Sequence, residues 1–142
     1  MTTLEKARAT FSSDRYATDV TGITIENIGQ HEVLCTLALD SRHYNARGVA
    51  MGGVLFTLAD FAAAVAANSE DLDSDCLPWV SLNSTIHFLA PGSGLLKASC
   101  KAVKHGRTTA LYSTTITAGE GTEKARNIAV IETTMLRAIP IQ

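Results

Sequence analysis

The hydrophobic and polar positions divide the chain into one stretch without polar relief and several stretches that alternate. From Gly53 to Asn68 there is no proline, much alanine and a single charge, Asp60. Apolar residues recur on nearly every side, which predicts a helix buried in a larger core and not a surface helix with one apolar stripe. At ~1.5 Å per residue it is roughly 24 Å long, short of the ~20 apolar residues a bilayer span needs. Gly53, Thr57, Asp60, Ala64 and Asn68 form the exception. At ~100° per residue they share one narrow stripe, small and polar, with a carboxylate in its middle. An ionised carboxylate among apolar neighbours is costly unless it is paired, hydrogen-bonded or at work. A structural partner and a chemical role both stand open for Asp60.

The flanking segments follow other periods. Residues 3–19 predict one or two short helices within an N-terminal segment of about 20 residues, with a break and a new cap at Ser12-Ser13-Asp14. Gly22–Glu26 and Glu32–Leu39 predict a hairpin about Asn27–Gln30, with Val33, Cys35, Leu37 and Leu39 on one face. Residues 40–52 form the loop into the helix, and the acidic loop Asp71–Asp75 leaves it. Trp79–Ala90 predicts a strand with Val80, Leu82, Ile86 and Phe88 on one face and Ser81, Asn83, Thr85 and His87 on the other. A turn at Pro91–Gly94 follows, then strands Leu95–Lys104 and Thr108–Ala118 joined around Gly106. After a turn at Gly119–Gly121, Lys124–Ala138 is the last strand. Strands in succession after one buried helix predict a single α+β domain over 1–142, an antiparallel sheet wrapped around the helix.

Composition narrows the function classes. With 142 residues, 46% of them hydrophobic and 18% charged, one domain can bury a real core, and subunit interfaces would absorb the apolar excess. A net charge of −2 argues against a general nucleic-acid binder. The N-terminus MTTLEKARATF has neither a basic leader nor an apolar core, so no secretion signal is expected. Cys35, Cys76 and Cys100 have no CxxC spacing and read as free thiols in a reducing cytoplasm. His31, His43, His87 and His105 have no metal-ligand spacing, and no Walker, GxGxxG or GxSxG motif occurs, so neither metal nor cofactor is expected.

Charge is uneven. No Asp or Glu lies between Asp75 and Glu120, while Lys97, Lys101, Lys104 and Arg107 all do, with His87 and His105. Lys97 and Lys101 share a strand face. Two readings remain: a solvated face that protects a sheet edge, or an anion-binding rim for a phosphate-rich ligand.

The run N-A-R-G-V-A-M-G-G-V-L-F-T-L-A-D-F, Asn45 to Phe61, resembles the central motif of hotdog-fold acyl-CoA thioesterases of the phenylacetate-degradation (PaaI-like) group, N-x-x-G-x-x-H-G-G followed by an apolar run and an acidic residue. V-S-L-N-S-T-I-H-F-L-A-P-G, Val80 to Gly92, is similar to the family's third strand and its Pro-Gly turn. K-H-G-R-T, Lys104 to Thr108, is similar to its basic-Gly-basic hairpin. The resemblance runs from about Gly22 onward. It implies a hotdog fold and homodimers that often pair again into tetramers, acting on an acyl-CoA substrate. It places Asp60 on the catalytic carboxylate and Gly52 on the glycine whose backbone N–H polarises the thioester carbonyl. Asn45 and Ser81 fall on assisting positions. The chain departs from the pattern at Met51, where the family has histidine, and at Ala90, where it has a basic residue.

Thioester hydrolysis requires charge stabilisation on the carbonyl oxygen and an activated nucleophile. A helix N-terminus offers free N–H groups, and glycine lets a ligand approach them closely, so Gly52 and Gly53 suit an oxyanion site. Asp60 can deprotonate a water or attack directly. Gly52 and Asp60 are eight residues apart, roughly 12 Å along one helix. If both act on one carbon, they come from different subunits across a twofold axis, with two sites per dimer. Lys97, Lys101, Lys104, His105, Gly106 and Arg107 are the candidates for holding the CoA phosphates. A non-catalytic acyl-CoA-binding hotdog protein and a hotdog dehydratase or hydratase, drawing on His43 or His87, are the alternatives.

Overall fold

A computed structural model describes residues 1–119 and 124–138. Helix α1, Thr3–Phe11, is capped by Thr2, whose hydroxyl accepts the Glu5 N–H at 3.1 Å. A short π-helical turn, Tyr16–Thr21, ends at Gly22 in the left-handed region (φ 91°). Strands β1 (Thr24–Gly29) and β2 (Glu32–Ala38) form the first hairpin, and β1 runs far enough to narrow its turn to Gln30-His31. A 3-10 turn, Ser41–His43, leads towards α2, Gly52–Ala67. Four strands follow: β3 (Trp79–Phe88), β4 (Leu95–His105), β5 (Thr109–Ala118) and β6 (Arg126–Arg137). The turn expected at Gly119–Gly121 falls mostly outside the described residues. Among those described, no helix is long and apolar enough to cross a membrane.

The strands make one antiparallel sheet in the order β1-β2-β4-β5-β6-β3. Its inner face packs against α2, as an α+β arrangement requires. The helix brings Leu55, Leu58, Phe61 and Val65 to this interface, and between them Ala59, Ala62, Ala63, Ala66 and Ala67, all buried. The sheet answers with Leu37, Leu96, Ala98, Tyr112, Ile116, Ile131 and Met135. The one side of α2 that its own sheet leaves accessible carries Gly53, Phe56, Thr57, Asp60 and Ala64, so four members of the polar stripe lie there.

Bulges in β3 and β4 change which side chains face α2. In β3 the register shifts between Ser81 and Asn83, so Leu82 has no partner of its own on β6. Ser81 sits opposite Met135, Ser84 opposite Thr133, Ile86 opposite Ile131 and Phe88 opposite Ala129. Those β6 residues are all buried. The expected face of Val80, Leu82, Ile86 and Phe88 is therefore split: Val80 turns outward before the bulge, and Ser81 turns inward. The same device recurs in β4 at Val103. Ala102 pairs with Tyr112 and His105 with Ala110, both buried, while Lys104 faces outward with Leu111.

Asn68 belongs to the polar stripe by periodicity, yet it is buried and acts as the C-cap of α2. Its amide donates to the carbonyls of Ala64 (2.9 Å) and Trp79 (3.2 Å), and its oxygen accepts the Trp79 N–H at 3.0 Å. One side chain thus ends the helix and anchors the first residue of β3. Asn68→Ala leaves buried backbone groups without partners and is expected to destabilise the fold by about 2–4 kcal/mol in denaturant unfolding.

Candidate active site

The loop before α2 is built on Asn45. Its side-chain oxygen accepts the N–H of Arg47 (2.9 Å) and of Val49 (3.3 Å), while its own N–H donates to the Val49 carbonyl at 2.8 Å. Gly48 takes a positive φ of 80° inside this turn. The orientation of the Asn45 amide is thereby set, and its NH2 group makes no hydrogen bond among the described residues. His43 braces the loop from within. It is buried, donates from Nε2 to the Thr21 carbonyl (2.6 Å) and accepts the Asp40 N–H at Nδ1 (2.9 Å). Both ring nitrogens are committed to backbone.

Met51 is the N-cap of α2, in extended conformation and with no side-chain cap bond. Its carbonyl accepts from Val54 (2.9 Å) and Leu55 (3.3 Å). The N–H groups of Gly52 and Gly53 find no acceptor among the described residues, as the first turn of an uncapped helix leaves them. The Met51 side chain is 56% exposed beside them.

A cleft of about 440 Å³ opens at this helix end, walled by Asn45, Val49, Gly52, Leu55, Phe88 and Leu89. The Ala50 N–H donates to the Gly92 carbonyl at 3.0 Å, so the Pro91-Gly92 turn returns the end of β3 to the helix. The Phe88 ring then lies directly on Gly52: a Cβ added there would meet ring carbons at 3.0 and 3.2 Å. Phe88, read from the sequence only as a sheet-face residue, is 58% exposed in this cleft. No local pattern marks it; the turn that places it does.

Asp60 lies two helical turns further on, at roughly 12 Å along the axis from Gly52. The Ser81 hydroxyl donates to its Oδ1 at 2.9 Å. The structure thus joins Asp60 with Ser81, and Gly52 and Gly53 with Asn45 and Met51, but leaves the two groups apart within one chain. Thr57, between them, spends its hydroxyl on the Gly53 carbonyl at 2.9 Å.

The basic residues occupy separate places. Lys97 and Lys101 project from the outer face of β4, where Lys101 pairs with Glu32 of β2. Lys104 and Arg107 are exposed near the β4–β5 turn with Gly106. His105 points inward, its ring against Trp79 (4.5 Å between centroids). The acid-free stretch of sequence is therefore not an acid-free surface. Burial pushes the thiols of Cys35 up to about 12 and Cys100 to about 11, so both stay protonated at neutral pH.

The family model of the thioesterase superfamily matches residues 47–125, and the chain belongs to this family. It is 31% identical over 110 residues to the acyl-coenzyme A thioesterase PaaI of Escherichia coli K12, spanning 76% of this chain and 74% of that one. A thioesterase family protein from Silicibacter pomeroyi shares the fold, with a TM-score of 0.82 at 20% identity over 98% of this chain and all (100%) of that one. A Streptococcus pneumoniae thioesterase solved with coenzyme A has a TM-score of 0.74 at 28% identity, over 89% and 94% of the two chains. The helix wrapped by an antiparallel sheet is the hotdog fold.

The contact between Phe88 and Gly52 is open to a direct test. Gly52→Ala is expected to cost about 1 kcal/mol with Phe88 present, because the new methyl must displace the ring. In a Phe88→Ala background the same change should be neutral or stabilising, since alanine is the better helix former. Denaturant unfolding of the four proteins measures this coupling.

Proposed function

We propose that this protein hydrolyses acyl-CoA thioesters, with Gly52 of one subunit and Asp60 of its partner acting on the same carbonyl. The observation that carries this reading is the pairing of two unspent functions on one rigid helix: uncapped N–H groups at Gly52 and Gly53, and a carboxylate held by Ser81 on the accessible side. The free N–H groups suit the oxygen of a thioester carbonyl as negative charge develops on it. The Asn45 amide stands at the same cleft with its NH2 group available. Asp60, steadied by Ser81, activates water or attacks the carbonyl carbon.

A helix does not shorten, so the roughly 12 Å between the two functions is bridged by a second copy. The surface supports this. β3 is an edge strand of ten residues with one side unpaired, and an edge of this kind invites pairing. Leu82 is 61% exposed on it, and Phe56 is 40% exposed on the accessible side of α2. A homodimer, alone or paired again as a tetramer, covers both.

Met51 itself offers the oxyanion site no donor, and the backbone N–H of Gly52 carries that role. For the nucleotide end of CoA, the cations on offer are Lys97, Lys101, Lys104 and Arg107. β4 is roughly 26 Å long from Lys97 to His105, so one CoA meets one end of that set. His105 faces inward and is not offered. The dehydratase alternative loses support, because His43 has both nitrogens bound to backbone and His87 faces away from α2.

Thiol release from a panel of CoA thioesters tests the reading. Asp60→Asn is expected to lower the rate ~10²–10⁴-fold while remaining folded; an unchanged rate rejects the assignment, and wild-type binding without turnover favours the acyl-CoA-binding alternative. Mixed dimers test the sharing of the site. Gly52→Pro removes the N–H at the first helical position, where the backbone tolerates proline, and its ring displaces the Phe88 side chain as alanine does. Co-refolded one to one with Asp60→Ala, it should restore about one quarter of wild-type activity, from one intact site in half of the dimers. Heterodimers that form and stay inactive would refute the shared site.

A further inference from the structure

Beyond the C-terminal end of α2, four side chains that the reaction does not use come together. His31 stands in the β1–β2 turn, Glu70 follows α2, His105 ends β4 and Tyr112 lies on β5. The two imidazoles stack, with centroids 3.7 Å apart and planes 14° from parallel. His31 Nε2 contacts one oxygen of the Glu70 carboxylate, and the other accepts from Gln30 at 3.2 Å. His105 Nδ1 is 2.7 Å from the Tyr112 hydroxyl.

Two histidines and a carboxylate resemble a metal-ligand set, but the geometry opposes one. Imidazoles bound to a common ion direct their in-plane lone pairs at it, which spreads the ring centroids to about 4.5 Å or more. Here the rings are closer and nearly parallel, so their lone pairs run side by side.

We propose that the His31–His105 stack is a pH-sensitive latch that holds the β1–β2 turn against the end of α2 and opens on acidification. Protonating both rings would set two cations face to face at 3.7 Å. What the latch holds is specific. The His31 N–H donates to the Ser69 hydroxyl at 2.9 Å, and the Ala102 N–H donates to the His31 carbonyl at 3.0 Å. His31 is also the one non-glycine residue with positive φ, 55°, among the described residues. A side chain in that region depends on its contacts to stay there.

The charges around His105 come from every neighbouring element. Glu70 and Asp71, after α2, favour its protonation; His31, from the first hairpin, and Arg137, at the end of β6, oppose it. Burial, the largest influence, also opposes it, and the balance lowers its pKa below the ordinary 6.5. Folding therefore leaves His105 with fewer bound protons than the unfolded chain has. The latch is complete above that ordinary value and weakens as the pH falls below it.

Amide hydrogen exchange, corrected for intrinsic rates, provides the test. Between about pH 7.5 and about pH 5, protection of the His31 and Ala102 amides is expected to fall about tenfold or more in the wild type, while the α2 amides keep theirs. In His105→Phe, which retains a ring but takes no proton, protection should stay level. Equal falls in both proteins, or no fall in the wild type, overturn the latch. If His105→Phe does not fold, NMR titration of the wild-type imidazoles decides. His105 should titrate below the ordinary histidine value with the Ala102 amide following it; titration at the ordinary value with that amide unmoved overturns the proposal. Neither readout involves thioester hydrolysis, so the outcome is independent of the proposed function.

Discussion

Everything else in this fold depends on how closely the sheet can approach α2. The helix meets the sheet with five buried alanines spaced among four larger apolar side chains. Alanine has no side-chain rotamers to freeze, so it buries at little entropic cost and keeps the backbones near each other. That proximity lets a short side chain on β3, Ser81, reach Asp60 on the helix. Larger residues in place of the alanines would push the strand away and overfill a close-packed interior. The carboxylate and its only side-chain donor among the described residues are thus held by packing that neither of them performs.

The bulges in β3 and β4 act on the same interface with opposite results for polarity. Side chains on a strand alternate, so one extra residue reverses the alternation beyond it. In β3 this places Ser81 towards α2 while keeping Ile86 and Phe88 on the inner face. In β4 it sends Lys104 outward and brings His105 in, under Trp79 and against His31. Ser81 and His105, the polar groups that these bulges turn to the inner face, both find partners there, Asp60 and Tyr112.

The division of labour along α2 follows from rigidity. Its first turn offers donors, its middle offers a carboxylate, and the backbone between them cannot fold back. The proposed shared site rests on this rigidity, and the uncovered side of α2 and the unpaired edge of β3 are the surfaces it would bring together. Of the apolar groups exposed on a single chain, Phe56 lies a helical turn before Asp60 on α2, and Leu82 follows Ser81 on β3.

The sequence by itself determined the buried helix, the strand segments and the antiparallel sheet around the helix. These rest on local periodicity, which survives whatever the chain packs against. It also singled out Asp60 as a candidate, because a lone carboxylate in an apolar helix is conspicuous at any level of structure, and it located the glycines at the helix start. Tertiary structure alone decided the rest. The phase of β3 and β4 depends on bulges that alternation does not announce, so Val80 faces outward, unlike Ile86 and Phe88, and Leu82 falls in the bulge itself. Asn68 shared the periodicity of the stripe, yet its three hydrogen bonds come from the backbone of α2 and β3. Phe88 reached Gly52 through the Pro91-Gly92 turn, and Glu32 came opposite Lys101 on the adjacent strand. Residues 31, 70 and 105 came together only when three separate segments closed on one another. Such contacts join positions far apart in the chain, and local pattern carries no record of them.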